Sequence, residues 1–338
     1  MRAVRVVAPG TGDPLRMVEV PEPELGRRDV RIRVMAASLN YRDLLIARGH
    51  YPGLLKDQPI PLSDGAGEVI TVGEDVTRFE VGDRVVASCC PHWIAGPFLE
   101  EYHPVSVGMT IDGMLAETIA LDQNALVSLP GELSYAEGAA LPCAAVSAWS
   151  ALNVQEPLSA GQTVLVQGTG GVALFGLQLA RVHGARVLAI TSSADKVNLL
   201  ESLGADAVVN YVEQPDWHKA ILELTDGRGV DKVVEIGGEK TIQQSVAATR
   251  FGGELGLVGF VSGFGGGLPP LEIMARSVIL KGISIGPRLS LERVIAAMTS
   301  RKINPVICRS FPFAEYAAAY AFMARGQHTG KIVIDLTA

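Results

Sequence analysis

Two patterns of hydrophobic and polar positions divide the chain. In the first, short apolar runs such as residues 30–34, 67–73 and 83–87 alternate with turns rich in glycine, proline and aspartate. Such runs are typical of β-strands, and their density predicts a β-rich, barrel-like domain. The second pattern begins at Ser134-Tyr135-Ala136-Glu137, which has the spacing of a helix capping box, and an alanine-rich segment over 139–152 then predicts a helix.

Beyond residue 160, apolar strand-like runs alternate with helical segments. The predicted strands cover residues 163–167, 186–190, 207–209, 230–235, 255–258 and 278–285, and the predicted helices 171–183, 194–203 and 217–224. Strands that are apolar throughout belong to a sheet covered by helices, so the fold class is α/β with a doubly wound parallel sheet of the Rossmann type. A final helix over 289–299 and a strand over 331–335 can return to the β-rich domain. The predicted division is therefore 1–144, 145–286 and 287–338, with the Rossmann domain inserted between the two parts of the β-rich domain.

Composition and charge narrow the class of protein. With 48% apolar and 19% charged residues, a chain of 338 residues can bury a large core. A net charge of −7 without a run of lysine or arginine argues against nucleic acid as a partner. No uncharged stretch reaches the roughly 18 residues of a membrane span, and no signal peptide is recognisable. Four scattered cysteines are too few for a disulfide framework, so we expect a cytoplasmic protein.

The first motif that indicates a chemical function is a glycine loop. The motif Gly168-Thr169-Gly170-Gly171-Val172-Ala173 follows a predicted strand and opens a predicted helix. Its first glycine permits the tight turn, its second lets the backbone approach a pyrophosphate, and the helix N-terminus faces the phosphates. A glycine-rich turn that merely packs is the alternative, but the strand–turn–helix context predicts dinucleotide binding.

The end of the second Rossmann strand indicates which dinucleotide is bound. An NAD site usually has a carboxylate there for the adenosine ribose, whereas this strand ends in Thr191, Ser192 and Ser193, with Lys196 one turn further on. Hydroxyls and an ammonium can hold a 2′-phosphate that a carboxylate would repel. The sequence therefore favours NADP(H) over NAD(H), although Ser192 and Ser193 can also be interpreted as caps of the following helix.

Several segments together resemble the medium-chain dehydrogenase/reductase superfamily, which contains zinc alcohol dehydrogenases and zinc-free quinone oxidoreductases. They are the glycine loop, Asn40-Tyr41-Arg42-Asp43, Asp64-Gly65-Ala66-Gly67-Glu68-Val69, Val81-Gly82-Asp83-Arg84-Val85 and Gly330-Lys331-Ile332-Val333-Ile334. The resemblance covers nearly the whole chain. It implies a GroES-like fold for the β-rich domain, a nicotinamide cofactor and, commonly, a dimer.

The resemblance also addresses the catalytic metal. Zinc members bind the ion at positions that are Asn40, Ser63 and Cys143 in this chain, so only Cys143 has a ligand-type side chain. A catalytic zinc needs three protein ligands and an open position. We therefore expect no zinc and interpret Cys143 as a small buried hydrophobe.

A structural zinc is equally unexpected. The lobe that binds it in zinc members is near residues 88–113 and offers only Cys89, Cys90, His92 and His103. Adjacent cysteines lack the usual chelating spacing.

The zinc-free quinone oxidoreductase branch is then the better match. It implies hydride transfer from NADPH to a small-molecule electron acceptor, either a quinone or an α,β-unsaturated carbonyl compound. Asn40 and Tyr41 are the candidates to hydrogen-bond the acceptor oxygen, and Tyr41 can donate a proton. Asp64 can orient a neighbour such as Arg42. Tyr41 as a packed aromatic residue and Asp64 as a structural carboxylate are the alternatives.

The resemblance implies further cofactor contacts. They are Ser147 and Val172 at the nicotinamide half, Gly259, Phe260, Ile283 and Ile285 at the carboxamide, Tyr211 near the adenine and Lys331 near the pyrophosphate. The candidates to line an apolar pocket are Tyr51, Trp93 and Phe264.

Two other functions stay open at this point. One is a zinc-type alcohol dehydrogenase that recruits other ligands, and the other is an NADPH-binding protein without turnover, because a fold does not fix a function. The apolar strand over 278–285 can pair with its copy across a two-fold axis, so a homodimer is expected.

Overall fold

The computed structural model describes residues 1–102, 104–263 and 265–338 and divides the chain into two units. Unit 1 comprises Met1–Val146 and Gly286–Ala338, and unit 2 comprises Ser147–Ile285. Unit 2 is thus inserted into unit 1 along the chain. The expectations for His103 and Phe264 lie outside the described residues.

Unit 2 is built on a six-stranded parallel sheet. Its strands are β8 (Thr163–Gln167), β9 (Arg186–Thr191), β10 (Ala207–Asn210), β11 (Val230–Glu235), β12 (Thr249–Leu257) and β13 (Ile279–Gly282). Its helices are α4 (Gly171–Val182), α5 (Ala194–Ser202), α6 (Trp217–Glu223), α7 (Ile242–Ala248) and α8 (Pro270–Arg276). The spatial order β10-β9-β8-β11-β12-β13 is that of a dinucleotide-binding sheet, which confirms the predicted α/β fold class.

Burial within this sheet follows strand position. The central strands β8 and β11 are buried at every residue, as their uniformly apolar or hydrogen-bonded side chains require. The edge strand β13 has no buried residue and is shorter than the predicted strand over 278–285. An edge strand has one neighbour, so fewer of its residues are fixed by pairing.

Unit 1 contains a seven-stranded sheet and a separate two-stranded sheet. Its strands are β1 (Arg2–Val6), β2 (Leu15–Glu19), β3 (Asp29–Leu39), β4 (Asp64–Val72), β5 (Arg84–Ala87), β6 (Thr118–Asp122), β7 (Leu126–Ser128), β14 (Ile307–Pro312) and β15 (Lys331–Asp335). Its helices are α1 (Tyr41–Ala47), α2 (Tyr135–Ala139), α9 (Arg288–Arg301) and α10 (Tyr316–Ala324), while α3 (Ala144–Leu152) begins here and continues into unit 2. Strand β15 pairs with β3 in the register Ile332↔Leu39, which brings the last strand of the chain to the end of β3.

The prediction of one continuous helix over 139–152 is wrong, because the structure has a break in this segment. The capping box at its start is present, since the hydroxyl of Ser134 accepts from the amide of Glu137. Helix α2 nevertheless ends at Ala139, and α3 begins only at Ala144. Pro142 lies between them and cannot donate a helical hydrogen bond, which explains the break.

Candidate active site

Asn40 lies where β3 ends and α1 begins. The carboxylate of Asp43 accepts a hydrogen bond of 2.8 Å from the backbone N–H of Asn40, which fixes the turn into the helix. The side chain of Asn40 is buried. The long strand β3 therefore delivers an amide side chain to a buried position in unit 1.

The amide oxygen of Asn40 faces the ammonium of Lys331. The Nζ atom of Lys331 lies 2.6 Å from Asn40 Oδ1, 2.9 Å from the carbonyl of Leu39 and 3.5 Å from Asp64 Oδ2. The pairing of β15 with β3 places the lysine there. Three oxygen atoms of unit 1 thus surround the buried ammonium, and the approach of Lys331 to the pyrophosphate stays a prediction.

The other end of the Asn40 amide has no hydrogen-bond partner in the part of the chain that the structure describes. An ammonium donates hydrogen bonds and accepts none, so the atom that faces Lys331 must be the amide oxygen and the NH2 group points elsewhere. Among the described residues, Asn40 Nδ2 is buried without a hydrogen-bond partner. A buried, unsatisfied donor costs about 1–3 kcal/mol, and a bound acceptor oxygen would satisfy this one.

Asp64 lies next to this pair, and each of its two carboxylate oxygens accepts two hydrogen bonds. Its Oδ1 atom accepts from the hydroxyl of Ser63 at 2.7 Å and from the thiol of Cys89 at 3.4 Å. Its Oδ2 atom accepts from the backbone N–H of Cys143 at 3.2 Å and from Lys331. Asp64 therefore orients Lys331 rather than Arg42, the neighbour named from the sequence.

Arg42 instead forms a buried pair with the residue that follows it. Its Nε atom lies 3.7 Å from Asp43 Oδ1, and its guanidinium also donates to Ser106 and to the carbonyl of Val107. Burial raises the pKa of Asp43 from 3.8 to about 6, and the charge of Arg42 only partly opposes this. Tyr41 lies on the same turn but is 38% exposed, so it is not a packed core aromatic residue.

The metal-binding capacity of the site differs from the prediction. Asp64, Cys89 and Cys143 bring ligand-type atoms within 4.8 Å of one another, so Cys143 is neither the only thiol here nor a plain buried hydrophobe. Three such groups are the number that a catalytic zinc needs. The argument from a single thiol was therefore wrong.

These three residues nevertheless do not fit a resident zinc ion as they stand. The carboxylate of Asp64 already accepts from four donors, one of which is the thiol hydrogen of Cys89. The ammonium of Lys331 supplies the positive charge beside it. A zinc ion would have to displace this ammonium and take thiolate ligands.

The glycine loop in unit 2 has the geometry that a dinucleotide requires. Gly168 has a φ of +76°, which favours glycine, and Gly170 is the N-cap of α4. A Cβ atom added to either glycine would meet no atom within 4 Å, so the space above the loop is open. The residues present therefore fit a pyrophosphate at the N-terminus of α4, with Thr169 and Gly171 beside it in the same loop.

The predicted adenosine end lies at the carboxyl end of β9. Thr191 ends this strand, and its carbonyl accepts from the backbone N–H of Tyr211 at 2.9 Å, which brings Tyr211 to the same edge. Ser193 is the N-cap of α5, but its hydroxyl makes no capping hydrogen bond. The alternative of a pure capping role is thus not supported for Ser193. Ser192 is exposed, and Lys196 follows within the first turn of α5.

The remaining predicted contacts have the following locations. In unit 2, Ser147 is buried on α3, Val172 lies on the first turn of α4, and Gly259, Phe260, Ile283 and Ile285 lie in the loops after β12 and β13. Ile285 has a φ of +61°, a strained value for a β-branched residue. In unit 1, Trp93 packs against Phe98 and Tyr102, and burial raises the pKa of Tyr51.

A buried polar network at the ends of β8 and β11 was not predicted. Glu235 is fully buried and accepts from the side chains of Gln167, Ser245 and Thr241 and from the amide of Gly238. The amide oxygen of Gln167 accepts from the backbone of the loop after β11. Polar residues that end two apolar strands were the sequence signal for this network.

Comparison with known proteins identifies relatives of both units. Residues 26–131 match the family model described as alcohol dehydrogenase GroES-like domain, and residues 171–300 match that described as zinc-binding dehydrogenase. A zinc-type alcohol dehydrogenase-like protein of Schizosaccharomyces pombe is 38% identical over 94% of this chain and 93% of its own length.

Two further relatives show the range of names in this group. An acryloyl-coenzyme A reductase of Sulfurisphaera tokodaii is 28% identical over 97% of this chain and 98% of its own length. A crystal structure of an NAD-dependent alcohol dehydrogenase is 31% identical, with a TM-score of 0.91 over 99% of this chain and all of that chain. No helix in the described part of the chain is long and apolar enough to cross a membrane.

Proposed function

The chain belongs to the medium-chain dehydrogenase/reductase superfamily and is an NAD(P)H-dependent oxidoreductase, and from that premise we propose its reaction. It transfers a hydride from NADPH, without a metal ion, to a conjugated acceptor that is either a quinone or an α,β-unsaturated carbonyl compound.

One observation carries this proposal. The Asn40 amide is held by Lys331 through its oxygen, and its buried NH2 group has no partner among the described residues. A donor fixed in this way is suited to an acceptor oxygen that gains negative charge during the reaction. The orientation cannot reverse, because a reversed amide would turn its NH2 group towards the ammonium.

The residues of unit 1 determine which acceptors can react. The cofactor, when bound, supplies the hydride. Asn40 donates a hydrogen bond to the acceptor oxygen. The ammonium of Lys331, whose Nζ atom lies 2.6 Å from Asn40 Oδ1, polarises the amide and strengthens that donor. A conjugated acceptor delocalises its developing charge and needs less activation than a simple aldehyde or ketone does. Tyr41 or bulk water then supplies the proton.

The preference for NADPH rests on the adenosine end of unit 2. The strand β9 ends without a carboxylate, and the hydroxyls of Ser192 and Ser193 together with Lys196 are suited to a 2′-phosphate. The similar crystal structure is named NAD-dependent, so both cofactors need to be measured. The name of the acryloyl-coenzyme A reductase relative supports a conjugated acceptor, because an acryloyl thioester is an α,β-unsaturated carbonyl compound.

The zinc-type alternative has one observation in its favour, the proximity of Asp64, Cys89 and Cys143. An acceptor panel separates the two functions. The oxidation of NADPH and NADH is followed with a para-quinone, an enone, an enoyl thioester and a simple aldehyde. We expect turnover with a conjugated acceptor and a higher kcat/KM for NADPH. Turnover confined to the aldehyde would overturn the proposal, and cofactor binding without turnover of any acceptor would favour a non-catalytic NADPH-binding protein.

A further inference from the structure

Two thiols meet beside Asp64 from separate parts of unit 1. Cys89 follows the short strand β5, and its carbonyl accepts from the backbone of Val107, which fixes its position. Cys143 follows Pro142 directly before α3. Their sulfur atoms lie within 4.8 Å of each other. The proposed reduction uses neither thiol.

We propose that Cys89 and Cys143 are a modification site, at which a hydroperoxide oxidises the two thiols to an intramolecular disulfide. A disulfide requires Cβ atoms about 3.5–4.5 Å apart and sulfur atoms about 2 Å apart. The sulfur atoms of Cys89 and Cys143, which lie within 4.8 Å of each other, must therefore come closer by rotation about their Cα–Cβ bonds. The neighbouring Cys90 is buried as well but does not belong to the group.

The surroundings of the two thiols assign them different roles. Cys89 is buried, and this burial raises its pKa well above the usual thiol value. Cys143 is half-buried and is the more accessible of the two thiols. Cys143 is therefore the thiol that meets the oxidant, and Cys89 is the thiol that resolves the product.

One molecule of hydroperoxide oxidises the two thiols to the disulfide in two steps. The Cys143 thiolate attacks the peroxide, the O–O bond breaks, and a sulfenic acid forms on Cys143 while water or an alcohol leaves with the second oxygen. The sulfur of Cys89 then attacks the sulfenic sulfur, the S–S bond forms and water leaves. Two thiols lose two electrons and two protons, and the hydroperoxide accepts both.

Oxidation changes the environment of Asp64. The Cys89 thiol donates to Asp64 Oδ1 at 3.4 Å, and the backbone N–H of Cys143 donates to Oδ2. The disulfide removes the thiol donor and shifts two of the four residues that donate to the carboxylate. Asp64 in turn contacts Lys331, the residue that orients Asn40. We therefore expect oxidation to lower the reductase activity reversibly, a consequence that rests on the proposed function, whereas disulfide formation itself does not.

The experiment treats the full-length protein with hydrogen peroxide and then blocks the remaining thiols with an alkylating reagent. Peptide mass spectrometry without reduction is expected to show a linked pair of peptides that contain Cys89 and Cys143, and a thiol reductant is expected to remove it. The variants Cys89→Ser and Cys143→Ser should each lose this product. The matched control Cys90→Ser, which changes the adjacent buried thiol, should retain it.

The outcomes separate this proposal from the proposed function. A Cys89–Cys143 linkage in the wild type supports the modification site even if no acceptor is turned over. Oxidation of Cys143 to its sulfinic acid without a linkage, or a linkage that involves Cys90 or Cys308, would overturn it. Where turnover is present, the activity of each peroxide-treated sample is compared with that of the same protein before treatment. If peroxide lowers the activity of Cys89→Ser as much as that of the wild type, the disulfide does not inhibit the enzyme through Asp64.

Discussion

At the scale of single residues, the central feature is the side-chain amide of Asn40, whose oxygen faces a cation and whose NH2 group has no partner within the described residues. Burial of this NH2 group lowers the free energy of unfolding by about 1–3 kcal/mol. Lys331 and Asp64 are buried too, and their mutual contact limits the penalty of burying each charge. The three side chains therefore act as one unit.

The variant Asn40→Asp tests the donor role directly. It keeps an oxygen for Lys331 and removes the NH2 group, so folding is maintained while transition-state stabilisation is lost. We expect kcat/KM for the conjugated acceptor to fall by about 100-fold with a thermal midpoint close to that of the wild type. Asn124→Asp is the matched control, because the Asn124 amide oxygen also accepts from a cation, that of Arg288. Equal activity of Asn40→Asp and the wild type would remove Asn40 from the mechanism.

Asp43 gives a prediction for pH. Its folded-state pKa, raised by burial to about 6, lies above the unfolded value of 3.8, so folding favours the protonated form. The stability that this group contributes is present below about pH 4 and is lost as the pH rises through about 6. The unfolding free energy of the wild type minus that of Asp43→Asn should fall by on the order of 3 kcal/mol between those limits. A difference that is flat with pH in chemical denaturation would refute this.

At the scale of elements, the phosphate loop makes a prediction that separates binding from folding. Gly170 has an ordinary φ of −73° and open space beside it, so Gly170→Ala should leave the thermal midpoint unchanged. The added methyl group would occupy the space where the pyrophosphate is expected. The Kd for NADPH should rise by more than about tenfold, or about 1.4 kcal/mol, in a fluorescence titration. Gly131→Ala, at another open position, is the control, and equal affinity of the two variants would contradict the assignment of the loop.

The elements also show what the sequence can and cannot predict. The strands β8 and β11 were predictable, because every residue in them is buried and the apolar runs are continuous. Pro142 in the sequence indicates the break between α2 and α3, but the prediction followed the alanine-rich pattern and made the helix continuous. The contact between Lys331 and Asn40 could not be predicted, because the two residues are 291 positions apart and meet only through the pairing of β15 with β3. Cys89 joins Cys143 for the same reason, through tertiary contact and not through spacing.

At the scale of the whole molecule, unit 2 leaves an apolar surface uncovered. Helix α8 has no buried residue, and Leu271 and Met274 on it are each 71% exposed. The edge strand β13 of the same unit pairs only with β12 within the described residues. A second copy that continues the sheet at β13 and covers α8 would bury both features, so the predicted homodimer remains the proposal.

The double variant Leu271→Asp with Met274→Asp tests that arrangement. It should change a dimeric mass in light scattering to a monomeric one, because two charges would be buried at the interface, while the circular dichroism spectrum stays the same. Val81→Asp is the control, since Val81 is 64% exposed in unit 1. A monomeric wild type, or a double variant that stays dimeric, would contradict the arrangement.

Whether the reaction needs zinc is decided by measuring the metal content and the activity of the same sample. The protein is dialysed against a chelator, its bound zinc is determined by elemental analysis, and its oxidation of NADPH by an enone or quinone is measured with and without added zinc. A metal-free reaction requires full activity at a negligible zinc content and no gain when zinc is added. Activity that disappears with the chelator and returns in proportion to bound zinc would contradict it and would assign Asp64, Cys89 and Cys143 to the metal.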